Sequence, residues 1–115
     1  MSEQDCIFCK IIAGQLEARI FYEDDDLVAF WDINPQAPKH FLVVPRRHLV
    51  NASELTPDDD VLVGKMLRIA AQLAEKQGIG DGYRFVLNNG EPAGQAVFHI
   101  HLHTMGGRRM TWPPG

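Results

Sequence analysis

The sequence predicts an α+β domain in which one long helix packs across one face of a five-stranded antiparallel sheet. Five short runs of β-branched, aromatic and aliphatic residues are separated by turn-forming residues. A single window, Thr56 to Gln77, carries apolar residues at helical spacing. The 115 residues suit one core, and no repeat, low-complexity tract or linker divides them, so residues 1–115 read as a single domain.

The elements follow in chain order. Cys6 to Ile12 is compact and apolar, a short helix closed by Ala13-Gly14. Arg19 to Glu23 and Leu27 to Ile33 read as a hairpin around the charged turn Glu23 to Asp26. Asp32 is the one charge inside the second of these runs. Asn34 to Lys39 holds two prolines and is a loop; His40 to Pro45 is the third strand. Thr56-Pro57-Asp58-Asp59 starts the long helix with an N-cap threonine, a first-turn proline and carboxylates at the positive end. Its apolar face is Val61, Leu62, Met66, Leu67, Ile69, Ala70, Leu73 and Ala74, and Gly78 and Gly80 end it near Gln77. Tyr83 to Leu87 is the fourth strand, Asn88 to Val97 a glycine-rich loop, and His99 to Met105 the fifth strand. Gly106-Gly107 breaks that strand, and Arg108 to Gly115 is an extended tail.

Composition excludes several classes of function. A net charge of −4 gives no general attraction to nucleic acid or anionic membranes. No apolar run approaches the roughly 20 residues that span a bilayer. The acidic start, Met1 to Asp5, has no signal-peptide character, so the cytoplasm is the expected compartment. The two cysteines, Cys6 and Cys9, are spaced as a redox pair or as half of a zinc site.

The chemistry concentrates in His99-Ile100-His101-Leu102-His103. On a strand the three imidazoles share one face, about 7 Å apart, with Ile100 and Leu102 behind them. One ion held by all three is awkward, because the outer pair lie about 14 Å apart at the backbone. A nucleophilic imidazole assisted by its neighbours uses the spacing more naturally. The loop before the strand, with Asn88, Asn89, Gly94 and Gln95, offers amide donors and small residues to a phosphate, and Asp32 offers a carboxylate to ribose hydroxyls.

These residues carry a resemblance. HIHLHTM matches the His-x-His-x-His-x-x motif of the histidine-triad (HIT) superfamily, and DCIFCKII, AFWDINPQAP, KHFLVVP, GQAVFHIHLH and GGRRMTWPPG resemble its Hint branch of nucleotide-binding proteins over essentially the whole chain. The resemblance implies a HIT-like fold and a homodimer whose two sheets join into one of ten strands. It implies binding of purine nucleoside monophosphates such as AMP and GMP. It also implies hydrolysis of the P–N bond of nucleoside phosphoramidates, with no cofactor for catalysis.

Carried over by position, His101 is the nucleophile and forms a nucleotidyl-histidine, its other nitrogen held by a main-chain carbonyl, that of His99. His103 donates to phosphate oxygens or the leaving group, and His40 and His99 complete the histidine cluster. Asp32 matches the ribose-binding acid; Phe8, Ile11, Leu16, Phe30, Ile33 and Leu42 match the purine pocket. Asn88, Gly94 and Gln95 match phosphate and sugar contacts. Ala96 stands where several relatives place a hydroxyl on the phosphate, and Thr104 is polar where the motif is usually apolar. Trp112, in the tail, is expected across the dimer beside the partner's substrate exit. In metal-bearing relatives Cys6, Cys9, His48 and His99 hold a structural zinc, though several Hint proteins lack these cysteines. The competing functions are a dinucleoside polyphosphate hydrolase, against which the tail argues, and a zinc-stabilised nucleotide-binding or scaffolding module with incidental hydrolysis.

Overall fold

A computed structural model describes residues 5–115; Met1 to Gln4, most of the acidic start, lie outside the described residues. The regular elements are α1 (Ile7–Ile12), β1 (Ile20–Glu23), β2 (Leu27–Trp31), β3 (Lys39–Pro45), α2 (Asp60–Lys76), β4 (Tyr83–Val86) and β5 (Leu102–Gly106), with short 3-10 turns between them. All strand pairs are antiparallel, in the order β1-β2-β3-β5-β4, so the expected five-stranded sheet with one long helix is the fold observed. No helix among the described residues is long and apolar enough to cross a membrane.

Both faces of the sheet are covered, which explains why β2 and β3 read as nearly unbroken apolar runs. Leu27, Ala29, Phe41, Val43 and Leu102 point to α2 and pack on Met66, Ile69, Ala70, Leu73 and Ala74. Val28, Phe30, Leu42 and Val44 point to the other face, where Cys6 and Phe8 of the α1 region cover them. Alternation along a strand therefore assigns even-numbered residues of β2 and β3 to the α1 face and odd-numbered ones to the α2 face.

Local chemistry accounts for the boundaries. Thr56 and Asp59 form a reciprocal capping box, with Pro57 inside the first turn, and that turn is 3-10 before α2 begins at Asp60. Val61, expected on the apolar face, is 85% exposed. At 3.6 residues per turn it lies about 140° around the axis from Met66. In the β1–β2 turn Asp24 accepts the amides of Asp26 and Leu27, each at 2.8 Å, and the Tyr22 hydroxyl at 2.6 Å. Burial alone would raise its pKa; these donors and the Lys65 ammonium outweigh it and hold the carboxyl well below the usual range.

The histidine segment departs from expectation at its start. Regular pairing begins at Leu102, whereas His99 to His101 run outside the ladder, with the Ile100 amide donating to the Leu49 carbonyl at 2.6 Å. Continuing the register would put Val44 and Pro45 opposite His101 and Ile100, but Pro45 has no N–H to donate and the Ile100 amide is already turned to Leu49, so the ladder stops at Leu102. The strand closes at Gly106, where a Cβ would come within 2.8 Å of Ile79.

Thr104 sits on the α2 face of β5, fully buried, and its hydroxyl has no hydrogen-bond partner among the described residues. An unpaired buried hydroxyl costs roughly 1–3 kcal/mol. Thr104→Val keeps the shape and removes that cost, so its melting temperature should rise by several degrees in thermal unfolding. An unchanged or lowered value would show that the hydroxyl is satisfied.

Candidate active site and metal cluster

The α1 face of the sheet carries an open cleft of about 520 Å³. Its apolar end is formed by Phe8, Ile11, Leu16, Phe30, Ile33 and Leu42, and its polar end by Asp32, Asn88, Gly94, Ala96, His101 and His103. Strand register explains the convergence: Leu42 pairs with His103, and Phe30 with Leu42, so all three share a face. Phe8 then folds over from α1, its ring edge-on to Phe30 at 5.4 Å and to His101 at 5.0 Å. Ile33 contributes only to the rim, being 98% exposed. Ile7, Glu17, Ala18, Trp31 and Val97 also line the cleft. Ile7 lies one helical turn before Ile11, so helical periodicity places the two on one face.

Two main-chain groups place the protons on the pocket imidazoles. The His99 carbonyl lies 2.8 Å from Nδ1 of His101. A carbonyl only accepts, so Nδ1 carries the proton and Nε2 of His101 keeps a lone pair. At the other ring, the Gln36 amide donates to Nδ1 of His40 at 3.0 Å. His40 therefore carries its proton on Nε2, which stands 2.9 Å from Nδ1 of His103. Two N–H groups cannot face each other at that distance, so Nδ1 of His103 accepts and its Nε2 bears the proton. The cleft thus receives one lone pair, from His101, and one N–H, from His103.

This scheme needs neutral rings, and burial supplies them. Burial lowers the pKa of His101 against the opposing His99 carbonyl and Asp32 carboxylate. Burial, then the neighbouring His101 and His40, bring His103 down to about 4, again against Asp32. His40 is lowered by burial and partly restored by Asp32. Asp32 accepts the Asn34 amide at 2.8 Å, and its other oxygen lies 3.4 Å from Nε2 of His40. Asp32, His40 and His103 come close enough together to suggest a cation site. The Gln36 amide argues against one, because it occupies the lone pair on Nδ1 and leaves Nε2 protonated.

A second cluster lies beside the first. Nδ1 of His99 stands 3.5 Å from Sγ of Cys6 and of Cys9, and 3.2 Å from Nδ1 of His48, which is 3.2 Å from Sγ of Cys9. Ligands bound at about 2.0–2.3 Å in a tetrahedron sit roughly 3.3–3.8 Å apart, so the donor set and spacing suit zinc. The proton of His99 also suits it. Its Nε2 lies 2.8 Å from the Pro45 carbonyl and must donate, which leaves Nδ1 open to a metal. Cys6 caps α1, its sulfur accepting the Cys9 amide at 3.4 Å, so the helix start presents both thiols.

Two expected contacts fall elsewhere, and a third lies outside its own chain's cleft, where the dimer expectation puts it. The ring of His99, assigned to both catalysis and metal, joins the thiols, and only its carbonyl serves the cleft. Gln95 is turned inward; its Nε2 donates to the Val50 and Val97 carbonyls at 2.7 and 3.1 Å, and its Oε1 accepts the Gly90 amide. It braces the loop rather than lining the cleft. Trp112 is 83% exposed and outside its own chain's cleft; beside it, the Thr111 carbonyl accepts from Arg84 on β4 at 2.9 Å. The Gln36 amide escaped sequence reasoning, since a main-chain donor has no residue signature.

The HIT domain family matches residues 13–110. An uncharacterized HIT-like protein of Synechocystis is 51% identical over 112 residues, spanning 97% of this chain and 98% of its own. The crystal structure of a HIT family hydrolase from Legionella pneumophila is 46% identical with a TM-score of 0.95, covering 96% of this chain and all of that one (100%). A zinc-bound histidine triad family protein from Mycobacterium smegmatis is 32% identical with a TM-score of 0.80, covering 94% of this chain and 78% of its own. With its fold, its histidine segment and these relatives in agreement, the chain belongs to the HIT family.

Proposed function

We propose that the protein is a hydrolase of purine nucleoside phosphoramidates, releasing AMP or GMP through a nucleotide bound covalently to His101. The observation that carries this reading is the paired placement of a lone pair on His101 and an N–H on His103 at the polar end of an apolar cleft. The purine takes the apolar end and Asp32 accepts the ribose hydroxyls, which sets the α-phosphorus before His101. Nε2 of His101 bonds to phosphorus as the P–N bond breaks, and the departing nitrogen takes one proton from water. The His99 carbonyl stabilises the charge that the substituted imidazole acquires. The His103 N–H holds a phosphoryl oxygen or the departing nitrogen. Water then forms the new P–O bond, the electron pair of the P–N(His) bond returns to Nε2, and the water's proton goes to solvent.

Zinc fits the neighbouring cluster as a structural ion held by Cys6, Cys9, His48 and His99, tying α1 to the histidine segment. The reading also includes a cytoplasmic homodimer. The outer edge of β4 pairs with no strand among the described residues, so two copies can join there into ten strands and bring each Trp112 toward the other's cleft.

The deciding experiment mixes the protein with adenosine 5′-phosphoramidate and follows AMP release together with the mass of acid-free quenched enzyme. One added AMP per chain is expected, lost in His101→Ala along with several orders of magnitude in kcat, while AMP still binds. Near-wild-type turnover in the variant would assign the attack to another group.

Purification without chelator should yield close to one zinc per chain, and Cys6→Ser should lose metal and melt at a lower temperature. Metal-free protein, with a variant of equal stability, would make the cysteines ordinary packing residues.

Acid should destabilise the fold in a window set by His103. Its pKa is about 4 when folded against roughly 6.5 when unfolded, so between these values the unfolded chain binds the extra proton. Stability therefore falls as pH drops through that range, and His103→Asn should show a shallower loss in parallel denaturant titrations. Equal slopes would show that His103 is not held neutral by burial.

A further inference from the structure

The tail reaches the active site of its own chain through the main chain of the Asn34–Lys39 loop. Nε of Arg108 donates to the Gln36 carbonyl at 3.1 Å, and its Nη1 to the Arg109 carbonyl at 3.2 Å, so the guanidinium is fixed at two points. The preceding residue presses on the same loop. A Cβ on Gly107, whose φ is +94°, would stand 3.0 Å from Pro38. The Gln36 peptide is thus gripped at its carbonyl by Arg108, while its residue's amide donates to Nδ1 of His40 at 3.0 Å. From there one hydrogen bond of 2.9 Å reaches His103.

We propose that Arg108 is a positioning residue for His103. It holds Gln36 where its N–H fixes the tautomer of His40, and His40 fixes that of His103. If the Gln36 amide drifts, Nδ1 of His40 is free to take the proton. Nε2 of His40 then accepts from Nδ1 of His103, and the cleft loses its N–H and gains a second lone pair. Arg108 touches no reacting atom; its effect travels through three hydrogen bonds, and the partner of each in the chain is set by geometry. The catalytic consequence rests on the chemistry proposed above, whereas the tautomers do not.

The test is a long-range ¹H–¹⁵N correlation spectrum of the imidazoles in the full-length protein at neutral pH, for wild type and Arg108→Ala. Wild type should show protons on Nε2 of His40 and His103 and on Nδ1 of His101. In Arg108→Ala the His101 pattern should persist while His40 and His103 shift toward averaged tautomers. With adenosine 5′-phosphoramidate, kcat should fall roughly tenfold, a fraction of what one positioned proton-bearing group supplies, with the melting temperature nearly unchanged. A wild-type proton on Nδ1 of His103, or variant spectra identical to wild type whatever the change in melting temperature, would overturn the proposal. Absence of wild-type turnover would count against the phosphoramidase reading alone, and the spectra would still decide the role of Arg108.

Discussion

The antiparallel pairing of β3 with β5 is the constraint on which the rest depends. With Leu42 opposite His103 and Phe41 opposite Thr104, a single register decides which side chains meet the cleft and which meet α2. Helix α2 and the covering segment around α1 are accessories to that choice, each burying one face. The sheet is central in a literal sense, since neither helix packs without it.

The second organising element is the use of main-chain groups to settle proton positions. Carbonyls of His99 and Pro45 and the amide of Gln36 each meet a ring nitrogen whose role is thereby forced. Side chains rotate and titrate, but a peptide group keeps its polarity at every pH compatible with folding. Five histidines lie close together in this molecule. Such crowding would give a mixture of tautomers if the rings were left to arrange themselves.

Much of this was legible in the residues. Strand runs, the capping signals at Thr56 to Asp59 and the alternation of histidines gave the elements and the cleft's polar end. The limits have physical causes. Periodicity cannot see where backbone groups turn to other partners, so the alternation extends the histidine strand to His99 although the ladder begins only at Leu102, the Ile100 amide being given to Leu49. Amide side chains near glycines look alike whether they face a ligand or brace a loop, and Gln95 does the latter. The role of Gln36 lies in its backbone and leaves no trace in residue type.

The two-sided burial of β3 has a consequence for how this chain tolerates change. His40, Leu42 and Val44 address the cleft face, while Phe41 and Val43 address the helix, so the strand is read in two interleaved frames. Substitution within a frame alters either chemistry or stability. Adding or removing one residue exchanges the frames, sending imidazole into the hydrophobic layer and aromatic carbon into the cleft. Side chains within one frame of β3 can be exchanged for others of like character, whereas a change of length there reaches both faces of the sheet at once.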